Sequence, residues 1–156
     1  MQVHILEAPQ GGRRVLLSER MMRDLRMLAI EGFIALPRRG VEVGGILFGE
    51  NHGSDIRLTA FEEVPCEHRY GPSYALSQDD RTRLKALLAE KAARQLPVAG
   101  FFRSFTYREP VIEAADEELV REQFPTGTFV CLMMWLTMRR YSHNERQNDL
   151  GALVEE

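Results

Sequence analysis

Val41-Glu42-Val43-Gly44-Gly45-Ile46-Leu47-Phe48-Gly49 is the stretch on which the reading of this chain turns. Its run of apolar and β-branched residues predicts a strand over 41–48. Asn51-His52-Gly53-Ser54-Asp55 has the composition of a turn, and 56–64 reads as a returning strand, so the segment is expected to be a hairpin. Two adjacent glycines weaken a strand, so Gly44 and Gly45 point to a bulge or to another backbone passing close by. Further along, Val98-Ala99-Gly100-Phe101-Phe102 predicts a short strand, with a loop over 103–112.

Outward from these strands, three helices are expected. Ser18 stands at an N-cap position, and Met21, Leu25, Leu28, Ala29 and Phe33 recur every three or four residues until Pro37 and Gly40 end the element. Ser77 can cap a second helix with Asp80 three residues later, Leu84, Leu87, Leu88 and Ala92 as its inner stripe, and Pro97 as its stop. A third is expected over 113–124, with Leu119 and Val120 facing inward, before a buried strand over 128–141. Short extended pieces at 3–6 and 14–17 flank a turn at Pro9-Gln10-Gly11-Gly12. Strands interleaved with helices predict an α/β fold, a sheet flanked by helices in one domain over 1–141. The remainder, 142–156, is expected to be a polar tail or the start of a linker, with Gly151-Ala152-Leu153-Val154 as an alternative docking strand.

Composition narrows the function classes. The 156 residues are 44% hydrophobic, enough for one real core, and 20 basic against 23 acidic side chains leave a net charge of -3. Nucleic acid and membrane are therefore not expected as partners, since both call for a clustered basic excess. The longest apolar stretch, 128–138, is far shorter than the roughly 20 residues of a membrane helix. The start of the chain lacks the pattern of a secretory signal, so a cytoplasmic location is expected. Cys66 and Cys131 have neither disulfide-framework nor zinc-knuckle spacing and are read as reduced thiols.

Together, the 41–49 stretch and Val98-Ala99-Gly100-Phe101-Phe102-Arg103-Ser104-Phe105 resemble the JAB/MPN (JAMM) zinc-isopeptidase family, in motif and in element order from about Ser18 to Met134. The resemblance implies a cytidine-deaminase-like mixed sheet. It also implies a site in which two histidines at the end of the second strand and an aspartate hold zinc, a glutamate takes a proton from the zinc-bound water, and a serine steadies the oxyanion. Such a site needs three ligands and one open position. Glu42 matches the glutamate and Asp116 the aspartate. The histidine positions hold Arg103, which has no lone pair to donate, and Phe105, an apolar ring. Glu113 takes the serine position, where an anion would oppose an oxyanion. One ligand of three cannot hold a catalytic zinc, so these five residues are expected to form a vestigial site without metal, cofactor or catalytic residue.

Within that site, Glu42 and Asp116 are either plain surface acids or the partners of an Arg103 guanidinium that replaces the metal charge, together with Glu113. Arg103 is expected to be partly buried, and Phe105 and Tyr107 exposed as a contact patch. Cys66 and His68 are read as ordinary loop side chains, Cys131 as core, and His4, His52 and His143 as solvated. Trp135 with Met133, Met134 and Met138 is either core or a hydrophobic interface. The function expected is a non-catalytic interaction or scaffold module, an inactive JAMM homologue. Its partner is expected to be another protein: a ubiquitin-like protein, a second JAB/MPN-type domain, or a homodimer mate. The alternative is a zinc-dependent isopeptidase or peptidase with a relocated metal site.

Overall fold

A computed structural model describes residues 3–7, 14–34, 40–105, 113–123, 130–140 and 146–155, the last two segments by backbone alone beyond Met134. In chain order these form β1 (Val3–Glu7), β2 (Arg14–Ser18), α1 (Glu19–Ile34), β3 (Gly44–His52), β4 (Asp55–Glu63), α2 (Gln78–Ala93), β5 (Val98–Phe105), α3 (Ala114–Gln123), β6 (Val130–Arg140) and β7 (Arg146–Glu155). The strands make one mixed sheet ordered β1-β2-β4-β3-β5-β6-β7. β2 pairs parallel with β4 and β5 with β6, and the other neighbours are antiparallel. The sheet curls so far that its edge strands β1 and β7 come within 8 Å, Cα to Cα.

Alternation along the strands sends side chains to two cores. Val15, Leu17, Leu47, Ile56, Leu58, Phe102, Val130, Leu132 and Met134 face α1, which buries Met21, Met22, Leu25 and Ala29 against them. On the opposite face Ile46 and Phe48 meet α2 through Leu84, with Leu87 and Leu88 packed alongside. Phe101, Phe105, Cys131 and Met133 meet α3 through Leu119 and Val120. The chain is thus a single α/β domain, a mixed sheet flanked by three helices among the described residues.

Both expected caps are present. The Ser18 hydroxyl accepts from the Met21 N–H at 3.1 Å. Ser77 and Asp80 form a reciprocal capping box at the start of α2. The paired glycines mark a close approach: a β-carbon on Gly45 would lie 2.1 Å from the Glu62 carbonyl oxygen of β4.

Several expectations change. β5 does not stop at Phe102 but runs to Phe105, because its last residues still pair with Gly44, Gly45 and β6. Of the inner stripe expected for α2, Ala92 is exposed, and Lys91 is buried instead, its Nζ 2.8 Å from Glu62 Oε2. Residues 146–155 are β7, antiparallel to β6, so over this range a ladder replaces the expected tail. The Pro9–Gly12 turn, Pro37, the loop at 106–112 with Tyr107, His143 and the side chains of Trp135 and Met138 lie outside the described residues. No helix among the described residues is long and apolar enough to cross a membrane.

Candidate functional site

The sequence-predicted residues converge where the ends of β5 and β3 meet the start of α3. Arg103 lies on the α3 side of β5, between Phe101 and Phe105, and pairs with Gly44 of β3 and Met133 of β6. It is 1% exposed, so the expected partial burial is corrected to complete burial. The cause is the longer β5: a residue inside a central strand, covered by a helix, has no path to solvent.

The Nη1 of Arg103 donates to both oxygens of Asp116, at 2.9 and 3.2 Å, and Nη2 donates to Glu42 Oε1 at 3.2 Å. Glu113 Oε2 is 3.7 Å from Nη1. The guanidinium carbon lies 4.2 Å from the centroid of the Phe105 ring, a stacked cation–π contact. All five residues are therefore together, and the cation sits in the middle of the carboxylates. Phe105 is 1% exposed and forms the floor under the guanidinium, which corrects the expected contact patch.

Local structure explains each placement. Asp116 is in the first turn of α3, where its Oδ2 accepts from the Glu113 N–H at 2.9 Å, the N3-to-N-cap half of a capping box. Capping and ion pairing both draw on this one carboxylate. Glu42 precedes β3 and is fixed by its main chain: its N–H donates to the Pro72 carbonyl and its carbonyl accepts from His68 Nε2, both at 2.8 Å. Val43 is tied to Ser104 by its N–H to the hydroxyl at 2.8 Å, and its carbonyl accepts from the Ser104 N–H at 2.7 Å.

The segment from Cys66 to Leu76 closes over this arrangement. Tyr74 packs on Gly44, where a β-carbon would lie 2.4 Å from its ring, and its hydroxyl donates to the Val64 carbonyl at 2.7 Å. Burial pushes the Tyr74 phenol far above its ordinary value. Cys66 donates to the Ala75 carbonyl at 3.5 Å, and burial, only partly offset by the His68 N–H on its sulfur, raises its thiol. His68 takes a left-handed backbone, φ 51°, to reach Glu42, a role that no local sequence signal announces. The role of Tyr74 is equally unannounced, although the bare Gly44 hinted at something pressing on the strand.

The space left is small. A cleft lined by Tyr74, Leu76, Arg81, Phe101, Ala115 and Asp116 holds about 20 Å³, room for about one water molecule. The other candidates do not join the site: His4 pairs with Glu19, His52 lies 3.4 Å from Glu50, and Cys131 is core. The arrangement sets one guanidinium against three carboxylates, which offsets part of their charge and rigidifies the site. Its guanidinium lies between Asp116 and Glu42, with the Phe105 ring against it and Tyr74 packed on the neighbouring Gly44.

Fold and site together define a mixed α/β domain with an internal arginine–carboxylate cluster. Among solved structures it is similar to the solution structure of protein DSY2949 from Desulfitobacterium hafniense, with a TM-score of 0.51 and 20% sequence identity over 90% of this chain and 88% of that one. The likeness is one of fold. No protein-family model matches the chain, and no curated protein does.

Proposed function

We propose that the chain is a non-catalytic JAB/MPN-like module that works through protein–protein contacts, in which Arg103 stands in for the metal. The observation that carries this reading is the position of the guanidinium, hydrogen-bonded to Asp116 and to Glu42, the residues that match the acidic ligand and the base of the resembled site. One guanidinium already donates hydrogen bonds to both carboxylates. The cleft beside Asp116 among the described residues holds about one water molecule.

Metal analysis and an isopeptidase assay test the proposal. Purified protein is expected to carry well under one zinc per chain and to leave ubiquitin-like and short isopeptide substrates intact. Tight one-to-one zinc that disappears in Asp116→Ala would support the hydrolase alternative instead. Positions 103 and 105 share one strand face next to Asp116, so Arg103→His with Phe105→His should bring three ligands to one point and raise zinc affinity. Hydrolysis should remain weak in that variant because Glu113 stays where the oxyanion would need a donor. A folded double variant that binds no more zinc than the parent would refute the positional match.

A further inference from the structure

We infer that the outward face of α1 is a self-association surface, and that its occupant is a second copy of this chain packed antiparallel across a two-fold axis at Met27. The inference rests on the interaction-module reading and names the partner. α1 buries Met21, Met22, Leu25, Ala29 and Gly32. At 100° per residue, Met27 points directly away from that side, and Arg20, Arg23, Ile30, Glu31 and Ile34 share its stripe at alternating spacings of three and four, the pattern of a helix-pairing seam. Met27 is 49% and Ile34 68% exposed, so the stripe is apolar at its centre and at one end. The elements α1 packs on among the described residues are strands, which lie on its inner side.

Charge selects the occupant and its direction. The N-terminal half of the outward face carries Arg20, Arg23 and Asp24, a net +1, and the C-terminal half carries Glu31, a net -1. Among the described residues none of these four makes an intramolecular ion pair. A parallel pair would set like on like. An antiparallel pair centred on Met27 brings residues whose numbers sum to 54 opposite one another: Met27 on Met27, Glu31 beside Arg23 and Arg20, and Ile34 against Arg20. The charges of each half then cancel, as a self-complementary two-fold contact requires. Beside the first turns of α1 lies an open groove of about 420 Å³, lined by Ser18, Arg20, Met21, Asp24, Thr59, Ala60 and Phe61, and the proposed register, which sets Ile34 against Arg20, brings Ile34 of the second copy to it. The most exposed large apolar side chain thus meets a groove with an aromatic wall.

Sedimentation equilibrium on the full chain should give a reversible monomer–dimer equilibrium. Met27→Glu should weaken it by about 10-fold or more while circular dichroism and melting stay those of the parent. Arg23→Glu and Glu31→Arg should each weaken the dimer, and the two together, which restore the balance of charge, should recover it. Under mild oxidation, with the parent as blank, Met27→Cys should cross-link to itself, whereas Ile34→Cys should cross-link to Arg20→Cys and not to itself. A chain that sediments as a monomer throughout, a dimer unmoved by Met27→Glu, or self-linking of Ile34→Cys would overturn the inference. Each of these would leave the zinc measurement to decide separately whether the site is dead.

Discussion

A guanidinium taken out of water together with two carboxylates loses a large hydration energy, and only close geometry restores it. Arg103 has that geometry on one edge and on its face: three hydrogen bonds to Asp116 and Glu42, and the Phe105 ring beneath, although its buried Nε has no hydrogen-bond partner among the described residues. Arg103→Ala is therefore expected to cost about 3–5 kcal/mol in urea unfolding, because Glu42 and Asp116 are left as buried uncompensated charges. The exposed Arg81–Glu118 pair, 3.4 Å apart, should yield about 0–1 kcal/mol when broken. Arg103→Met combined with Glu42→Gln and Asp116→Asn should be less destabilised than Arg103→Ala alone, since no charge is stranded. Equal losses would mean that packing around the side chain, and not its charge, is what matters. The pairing was legible only through the family resemblance, which brings positions 42, 103, 113 and 116 together, and it stood beside the reading of Glu42 and Asp116 as plain surface acids. The depth of burial was not legible, because a charge inserted in the row Phe101-Arg103-Phe105 breaks the apolar pattern by which a strand is recognised.

At the level of elements, helix starts were the most legible features, since a cap is a local hydrogen bond between residues three apart. Ser77→Ala should cost about 1 kcal/mol. Asp80 does more than cap: it is fully buried, accepts from the main chain of Ser77 and Glu67, and pairs with Arg83, so it ties the segment over the site to α2. Burial by itself would raise its carboxyl, but the Ser77 N–H, the Arg83 side chain, the Glu67 N–H and the Ser77 hydroxyl outweigh it and hold the group below its ordinary range. A carboxyl depressed in the folded state contributes stability above its unfolded value and loses it as pH falls. The stability gap between the parent and Asp80→Asn should therefore be full near neutrality and shrink as pH falls below about 4. A gap independent of pH would show that Asp80 acts only by shape. Gly45 teaches the converse: the sequence left a bulge or a close backbone approach open, and the fold shows the approach to be that of the Glu62 carbonyl. Gly45→Ala should cost about 1–3 kcal/mol, measured the same way, because backbone and not a movable side chain is in the way.

For the whole molecule, the order of strands decides which residues meet, and pairings between distant segments leave no mark in a local pattern. Glu42 and Arg103 come together because β3 and β5 are neighbours, and Asp116 joins them because the β5–α3–β6 crossover lays α3 over that face. The far edge shows the same limit. Arg146-Gln147-Asn148-Asp149 reads as a polar tail, yet polar residues are what an edge strand carries to discourage pairing with other chains. β7 closes the sheet beside β6, whose Val130 to Met134 are fully buried, and pairs with it from Cys131–Glu155 to Arg140–Arg146. Removing 142–156 would leave an 11-residue edge of Val-Cys-Leu-Met-Met-Trp-Leu-Thr-Met-Arg-Arg open to other chains. Its first nine residues carry no charge and no proline, the composition of an aggregation-prone strand. The truncated chain is expected to unfold at lower urea than the parent and to form concentration-dependent aggregates by light scattering. Met133→Lys in the truncated chain is no remedy, because that side chain is core. Charges placed from Thr137 onward, C-terminal to the stretch Val130–Met134, should restore solubility without restoring stability. A truncated chain as stable and as monodisperse as the parent would mean that the β6–β7 ladder contributes nothing to the fold.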